Sequence, residues 1–215
     1  MQFDWHGVSN IPTTVFVEDC GVPDLCEQMS TAKTKQTRST CTILSVTDIT
    51  PQAGEGSTFE VSVHTLPRTV AAEVQFILPS VAGPFVAVLT AQKSSHSLVD
   101  WGDAVAKEKD ALLERFVAWS SKLCQVLIEQ GYWADYIDPC SGLPANTDGN
   151  KIYGEVDGFQ ALLGYHTQNA NCCKILLHPQ WGSAVYPATM FTNAPSELVS
   201  ETIVAAGVSV VASVA

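Results

Sequence analysis

Basic side chains are scarce in this chain of 215 residues: 11 Lys and Arg stand against 22 Asp and Glu, a formal net charge of −11. Scattered rather than gathered into a stripe, they cannot track a phosphate backbone, so nucleic acid is not an expected partner. Long apolar runs are also missing. The charge-free stretch from Thr202 to Ala215 has 14 residues, short of the roughly 20 that a membrane-crossing helix needs, and no membrane span is expected. Cys20 and Cys26 lack the Cys-x-x-Cys spacing of redox and zinc motifs. There is no Gly-rich phosphate loop and no basic cluster placed for a flavin phosphate. The first basic residue is Lys33, after Asp4, Glu18, Asp19, Asp24 and Glu27, the opposite of a secretory or mitochondrial leader. Seven cysteines, an odd number in a chain too large to need disulfide staples, read as reduced thiols. The expectation is a cytoplasmic protein, with a mitochondrial form if a leader is missing.

What is present is enough for one core: 46% of residues are hydrophobic and only 15% charged, the balance of a globular domain. Residues 1–56 lack periodicity and read as an irregular N-terminal arm, with a short strand over Cys41–Val46. Residues 57–200 read as the folded domain and residues 201–215 as an apolar C-terminal tail, an edge strand or a loose end. Phe59, Val61 and Val63 alternate with Glu60, Ser62 and His64, which predicts a half-buried strand. Pro67 opens a helix, and Phe85–Leu89 is a buried strand. A long helix is predicted from Ala104 to Gln130, capped by Asp103 and stopped by Gly131, because Leu112, Phe116, Trp119, Leu123 and Leu127 recur at three and four. Cys124 in that stripe reads as a small buried hydrophobe. Tyr132–Ile137 is a strand ended by a turn at Asp138-Pro139. Residues 144–157 read as a polar loop, and strands follow near Cys172–Leu177 and Ala184–Phe191. The class is α+β, with a mostly antiparallel sheet and flanking helices.

The adjacent cysteines are the most informative motif. Alternation along a strand puts Cys173, Ile175 and Leu177 on one face, expected in the core, and Cys172, Lys174, Leu176 and His178 on the other. Cys172 is then the presented thiol. An ammonium on its face favours thiolate, a nucleophile and soft metal ligand. Cysteines on opposite faces cannot both enter one tetrahedral centre, so His166, Cys172, Cys173 and His178 do not read as a zinc site. Asp138 is expected in an Asx-type turn, Asp135 as a solvated or salt-bridged strand residue, and Trp133 and Trp181 as core or rim aromatics.

The order Ala111-Leu-Leu-Glu-Arg-Phe, Gly131-Tyr-Trp-Ala-Asp-Tyr-Ile-Asp-Pro-Cys-Ser-Gly-Leu143, Asn171-Cys-Cys-Lys174, His178-Pro-Gln-Trp-Gly182 and Phe191-Thr-Asn-Ala194 resembles the CblD family of cobalamin-trafficking proteins. The likeness covers about Ser57 to Ser200. It implies a fold like that of flavin reductases and nitroreductases in an adaptor that is not an enzyme and holds no cofactor alone. Such an adaptor docks on the cobalamin-processing protein CblC and directs the cofactor to methionine synthase and methylmalonyl-CoA mutase. Carried over by position, Cys172 is the residue that ligates the cobalt of cobalamin bound to the CblC-like partner. Methionine synthase as a direct partner and a weak homodimer are both left open. Two other classes compete: a flavin-dependent reductase, and a thiol-redox protein using Cys172 and Cys173.

Overall fold

In the computed structural model the described residues are 41–47, 58–170, 173–205 and 209–212. Five strands build most of the central sheet: β1 (Cys41–Thr47), β2 (Phe59–Thr65), β3 (Val86–Lys93), β4 (Ala134–Tyr136) and a later strand, Val185–Thr192. Between them run α1 (Arg68–Ile77), α2 (Asp103–Glu129) and α3 (Glu155–Leu163). A separate two-stranded ribbon, β5 (His166–Ala170) and β6 (Cys173–Leu177), precedes that later strand, which is therefore β7. The chain continues into α4 (Ser196–Ala205) and β8 (Ser209–Ala212). The sheet order is β4-β7-β3-β2-β1-β8, and every pairing is antiparallel. The expected class, α+β with an antiparallel sheet and flanking helices, holds.

The register assigns each side chain of the sheet to one of two packed layers. Val61 of β2, Val88 of β3 and Met190 of β7 share a face, covered by Leu123, Cys124 and Leu127 of α2 and by Val199 and Ile203 of α4. Ala87, Leu89 and Phe191 point the other way, onto Val74 and Ile77 of α1 and Val156 and Phe159 of α3. Because both faces are covered, β3 is buried from Val86 to Gln92, as its run of β-branched and small apolar residues requires. For the same reason β2 is not half-buried as predicted: Ser62 and His64 are as inaccessible as their apolar neighbours. Burial pushes the His64 imidazole pKa down to about 4, so it is neutral beside the Ser62 hydroxyl, 2.8 Å away.

The long helix lies where its periodicity put it, with Leu112, Phe116, Leu123, Cys124 and Leu127 buried. Its cap differs from expectation. Gly102, not Asp103, is the N-cap, with φ 138°, a backbone angle that a side chain would strain. Two helices were not expected. The segment read as loop up to Asp157 turns helical at Glu155, and α4 occupies the junction of domain and tail. Beyond α4, β8 pairs with β1, in accord with the edge-strand reading of the tail. Among the described residues no helix is long and apolar enough to cross a membrane.

Candidate functional site

The ribbon that carries Cys173 is built from a polar strand, His-Thr-Gln-Asn-Ala, and an apolar one, Cys-Lys-Ile-Leu-Leu. Neither has enough apolar surface to stand alone; the ribbon is held because one of its faces packs on the domain. Its register runs from His166 opposite Leu177 to Ala170 opposite Cys173. Two residues, Asn171 and Cys172, join Ala170 to Cys173 in sequence. They lie outside the described residues, so where Cys172 points is not part of the structure.

The alternation along β6 is the reverse of the one predicted. Leu176 and His178 are each only 4% exposed. Lys174 of the same face reaches α3, where its ammonium pairs with the Asp157 carboxylate and donates to Gln160 Oε1 at 2.9 Å. Cys173, Ile175 and Leu177, expected in the core, are half-buried. The reason is that the ribbon is no part of the central sheet: it lies on α3, and its inner face is the one whose polar ends find partners there. A lysine stem covers apolar surface as well as any aliphatic chain once its head is paired, so Lys174 did not mark a solvent face. Sharing its charge with Asp157 also weakens the field by which it was expected to favour a thiolate at Cys172.

The base of the ribbon is fixed by His178. Its Nδ1 accepts from the backbone N–H groups of Gln180 and Trp181, both at 3.2 Å. The proton must therefore sit on Nε2, which donates to Glu60 Oε2 of β2 at 3.0 Å. The ring stacks on Trp181 with centroids 3.9 Å apart and meets the edge of Tyr165 at 5.2 Å. Both ring nitrogens are thus committed, and His178 could ligate a metal only by giving up this latch.

Behind the ribbon, α3 is seated by a buried acid. Glu155 in its first turn accepts from Thr189 N–H at 3.1 Å and Thr189 Oγ1 at 2.6 Å. Burial outweighs those bonds and pushes its pKa up to about 7. Close seating also needs Gly158: a Cβ there would fall 1.9 Å from the Tyr153 hydroxyl. Burial, reinforced by Glu155, drives the Tyr153 phenol well above its ordinary range. Sequence reasoning missed Glu60, Glu155, Asp157 and Gln160. The signal for α3 was available, since acidic residues at Glu155 and Asp157 just after Gly154 are a helix start.

Around the Asp-Pro-Cys-Ser-Gly turn, Asp138 behaves as predicted, its carboxylate accepting from Cys140 N–H and Ser141 N–H at 3.2 Å. Asp135 does not. Only 2% exposed, it accepts from Thr147 N–H at 2.7 Å and from the Asn146 amide side chain at 2.9 Å, so it organises the loop instead of meeting solvent or a salt-bridge partner. Trp133 packs its edge on Phe85, and Cys124 is buried with its thiol pushed up to about 12; both match the structural roles expected of them.

The chain matches known proteins over most of its length. The family described as methylmalonic aciduria and homocystinuria type D protein has a model that matches residues 24–203. A Rattus norvegicus protein named cobalamin trafficking protein CblD is 34% identical over 145 residues, 66% of this chain and 49% of that protein. A Homo sapiens protein of the same name is 33% identical over 142 residues, 65% of this chain and 48% of that protein. The chain spans about half the length of the curated relatives it matches.

Proposed function

The chain belongs to the methylmalonic aciduria and homocystinuria type D protein family, and from that premise we propose that it is a cobalamin-trafficking adaptor. In this reading it docks on a CblC-like protein carrying cobalamin, offers the Cys172 thiolate to the cobalt, and directs the cofactor toward methionine synthase and methylmalonyl-CoA mutase. It acts by binding and hand-over, not by catalysis. It works in the cytosol, with a mitochondrial form where a leader precedes it.

The observation that carries the reading is the family match over residues 24–203, with relatives named cobalamin trafficking protein CblD. In the ribbon Ala170 pairs with Cys173 at the end remote from the His178 latch, and Cys172 is the residue before Cys173 in sequence. Lys174 on Asp157 and His178 on Glu60 hold the strand that follows it. A single soft sulfur suits a cobalt that already has its other ligands and has lost an upper one. One thiolate alone makes a poor cage for a bare metal, so affinity would come from the docked protein surfaces.

The test is a three-component visible spectrum. Adding the chain to the CblC-like protein loaded with cobalamin should shift the cobalamin bands, and Cys172→Ser should abolish the shift without loss of fold. Cys173→Ser should keep it. With Cys173 half-buried, that change should cost less stability than full burial would have required. Cobalamin bands unaltered by the wild-type chain would refute the ligand role. The kinship to flavin reductases and nitroreductases belongs to the same reading, which expects a colourless purified protein. Bound flavin with nicotinamide-dependent turnover would favour the reductase instead.

A further inference from the structure

We propose that Glu155 is a positioning residue for the ribbon: it seats α3, α3 holds β6, and the ribbon is therefore held firmly while Glu155 is protonated and loosely once it is ionised. The part this plays toward the partner rests on the adaptor reading. Two attachments of α3 carry the inference. In its first turn Glu155, 2% exposed, bonds the N–H and the hydroxyl of Thr189 on β7. Further along the same helix, Asp157 pairs with Lys174 of β6, and Gln160 accepts from the same ammonium at 2.9 Å. Phe159 and Leu176 share the apolar cluster beneath. A helix of nine residues is too short to hold its shape alone, and a two-stranded ribbon is no more self-sufficient. What loosens the start of α3 therefore reaches β6.

The seat is tight and short of donors. Gly158 lies so close to the Tyr153 hydroxyl that a Cβ would fall 1.9 Å from it, and that buried hydroxyl has no hydrogen-bond partner among the described residues. When protonated, Glu155 is satisfied by Thr189 alone, with one oxygen accepting the N–H and the acid O–H donating to Oγ1. When ionised, it is a buried charge with two donors, both from one residue. The unpaired Tyr153 O–H is a third that it could recruit. Because that group is pressed on Gly158, recruiting it would shift α3.

The elements packed on α3 bring no compensating charge. β7 turns Thr189 to this face and Tyr186 to the other, where its cross-strand partner Gln92 bonds Leu112 of α2. Lys174 of β6 is drawn to Asp157, and His178 is tied to Glu60 of β2. His64 of β2 is buried and neutral, while His166 of β5 and Glu73 of α1 are exposed. Glu73 and Asp157 add like charge around Tyr153. The dipole at the start of α3 favours the carboxylate, as do the Thr189 bonds, but burial outweighs them and sets the pKa at about 7 against an ordinary 4.5. Seating by Glu155 is then complete below pH 4.5 and lost as pH rises to about 7, because the raised pKa belongs to the seated state.

The test is hydrogen exchange of the full chain at pH 5.5 and 7.5, each amide's rate taken relative to its intrinsic rate at that pH. In the wild type, protection of α3 and β6 should fall together by about twentyfold, and in Glu155→Gln it should stay level. Lys174→Met should keep the fall in α3 and shrink it in β6. A wild-type fall in α3 that leaves β6 protected would overturn the proposal, as would a fall that persists undiminished in Glu155→Gln. Docking selects the seated ribbon, so an unseated fraction weakens binding. With the cobalamin-loaded CblC-like protein at pH 8, half of the spectral shift should need more wild-type chain than Glu155→Gln chain, and the gap should close at pH 6. Equal amounts at both pH values would overturn the role in docking. No spectral shift with either chain would remove the adaptor reading, and the seat itself would stand or fall on the exchange of the chain alone.

Discussion

The two faces of the central sheet are built on different principles. Toward α2 and α4 the packing is aliphatic and aromatic, with Phe59, Val61, Val63, Leu123, Leu127, Val199 and Ile203 in one cluster. The titratable group in it, Cys124, is held as a neutral thiol. Toward α1, α3 and the ribbon the buried groups include Glu155, Asp135, His64 and His178, each with a polar partner. The first face stabilises whatever lies on it, without direction. The second positions, because a buried ionisable group is tolerated only in the geometry that satisfies it. The ribbon, and with it Cys173, is attached to the positioning face.

Breaking the apolar face should have the largest effect. Leu127→Ala should cost about 2–5 kcal/mol by leaving a cavity under the sheet, seen as a lower denaturation midpoint at unchanged slope.

Next comes pH, which between 5 and 7.5 should act through Glu155 on the other face. Glu155 has its pKa raised from the ordinary 4.5 to about 7 in the folded protein, so folding favours its protonated form. Its contribution is fully present below pH 4.5 and is lost as pH rises to about 7, on the order of 3 kcal/mol in all. Glu155→Gln keeps an acceptor for Thr189 N–H and offers its NH2 as a donor to Thr189 Oγ1, and it should abolish that slope between pH 5 and 7.5, measured by denaturant titration at each pH.

Smaller and more local are the two latches. His178→Ala should cost about 2 kcal/mol, since it strands Glu60 and two backbone N–H groups. Hydrogen exchange should show it: the β6 amides should quicken while those of β3 stay protected. Lys174→Met keeps the aliphatic stem and loses a half-exposed pair, so it should cost less than about 1 kcal/mol and quicken the β6 amides only slightly. If instead both variants loosened β3 as much as β6, the ribbon would be part of the common core and the contrast between the faces would fail.

The same contrast explains how far the sequence could be read. α2 and β2 were legible because their apolar residues repeat with the period of the element, and β3 because it is a short continuous apolar run bounded by Gly83-Pro84 and Gln92. α3 was not, since Gly158 and the polar residues around it look like loop until Tyr153 and Thr189 are placed against them. Asp135 was misread because its partners, Asn146 and Thr147, are loop residues that periodicity cannot locate. The faces of β6 were inverted because a lysine and a histidine were taken as markers of solvent, whereas each had a distant carboxylate, Asp157 or Glu60, waiting on the protein. The Cys172-Cys173 motif itself was legible as a rare pair in a family context, and the register of Cys173 in the ribbon came only with the fold.

The central claim, a thiolate from this chain on a cobalt held by its partner, is tested most directly by X-ray absorption at the cobalt edge on the complex with cobalamin-loaded CblC-like protein. A sulfur neighbour of cobalt should be present with the wild-type chain and gone with Cys172→Ser, while Cys173→Ser retains it. Cobalt surrounded only by nitrogen, oxygen and carbon in the wild-type complex would contradict the account.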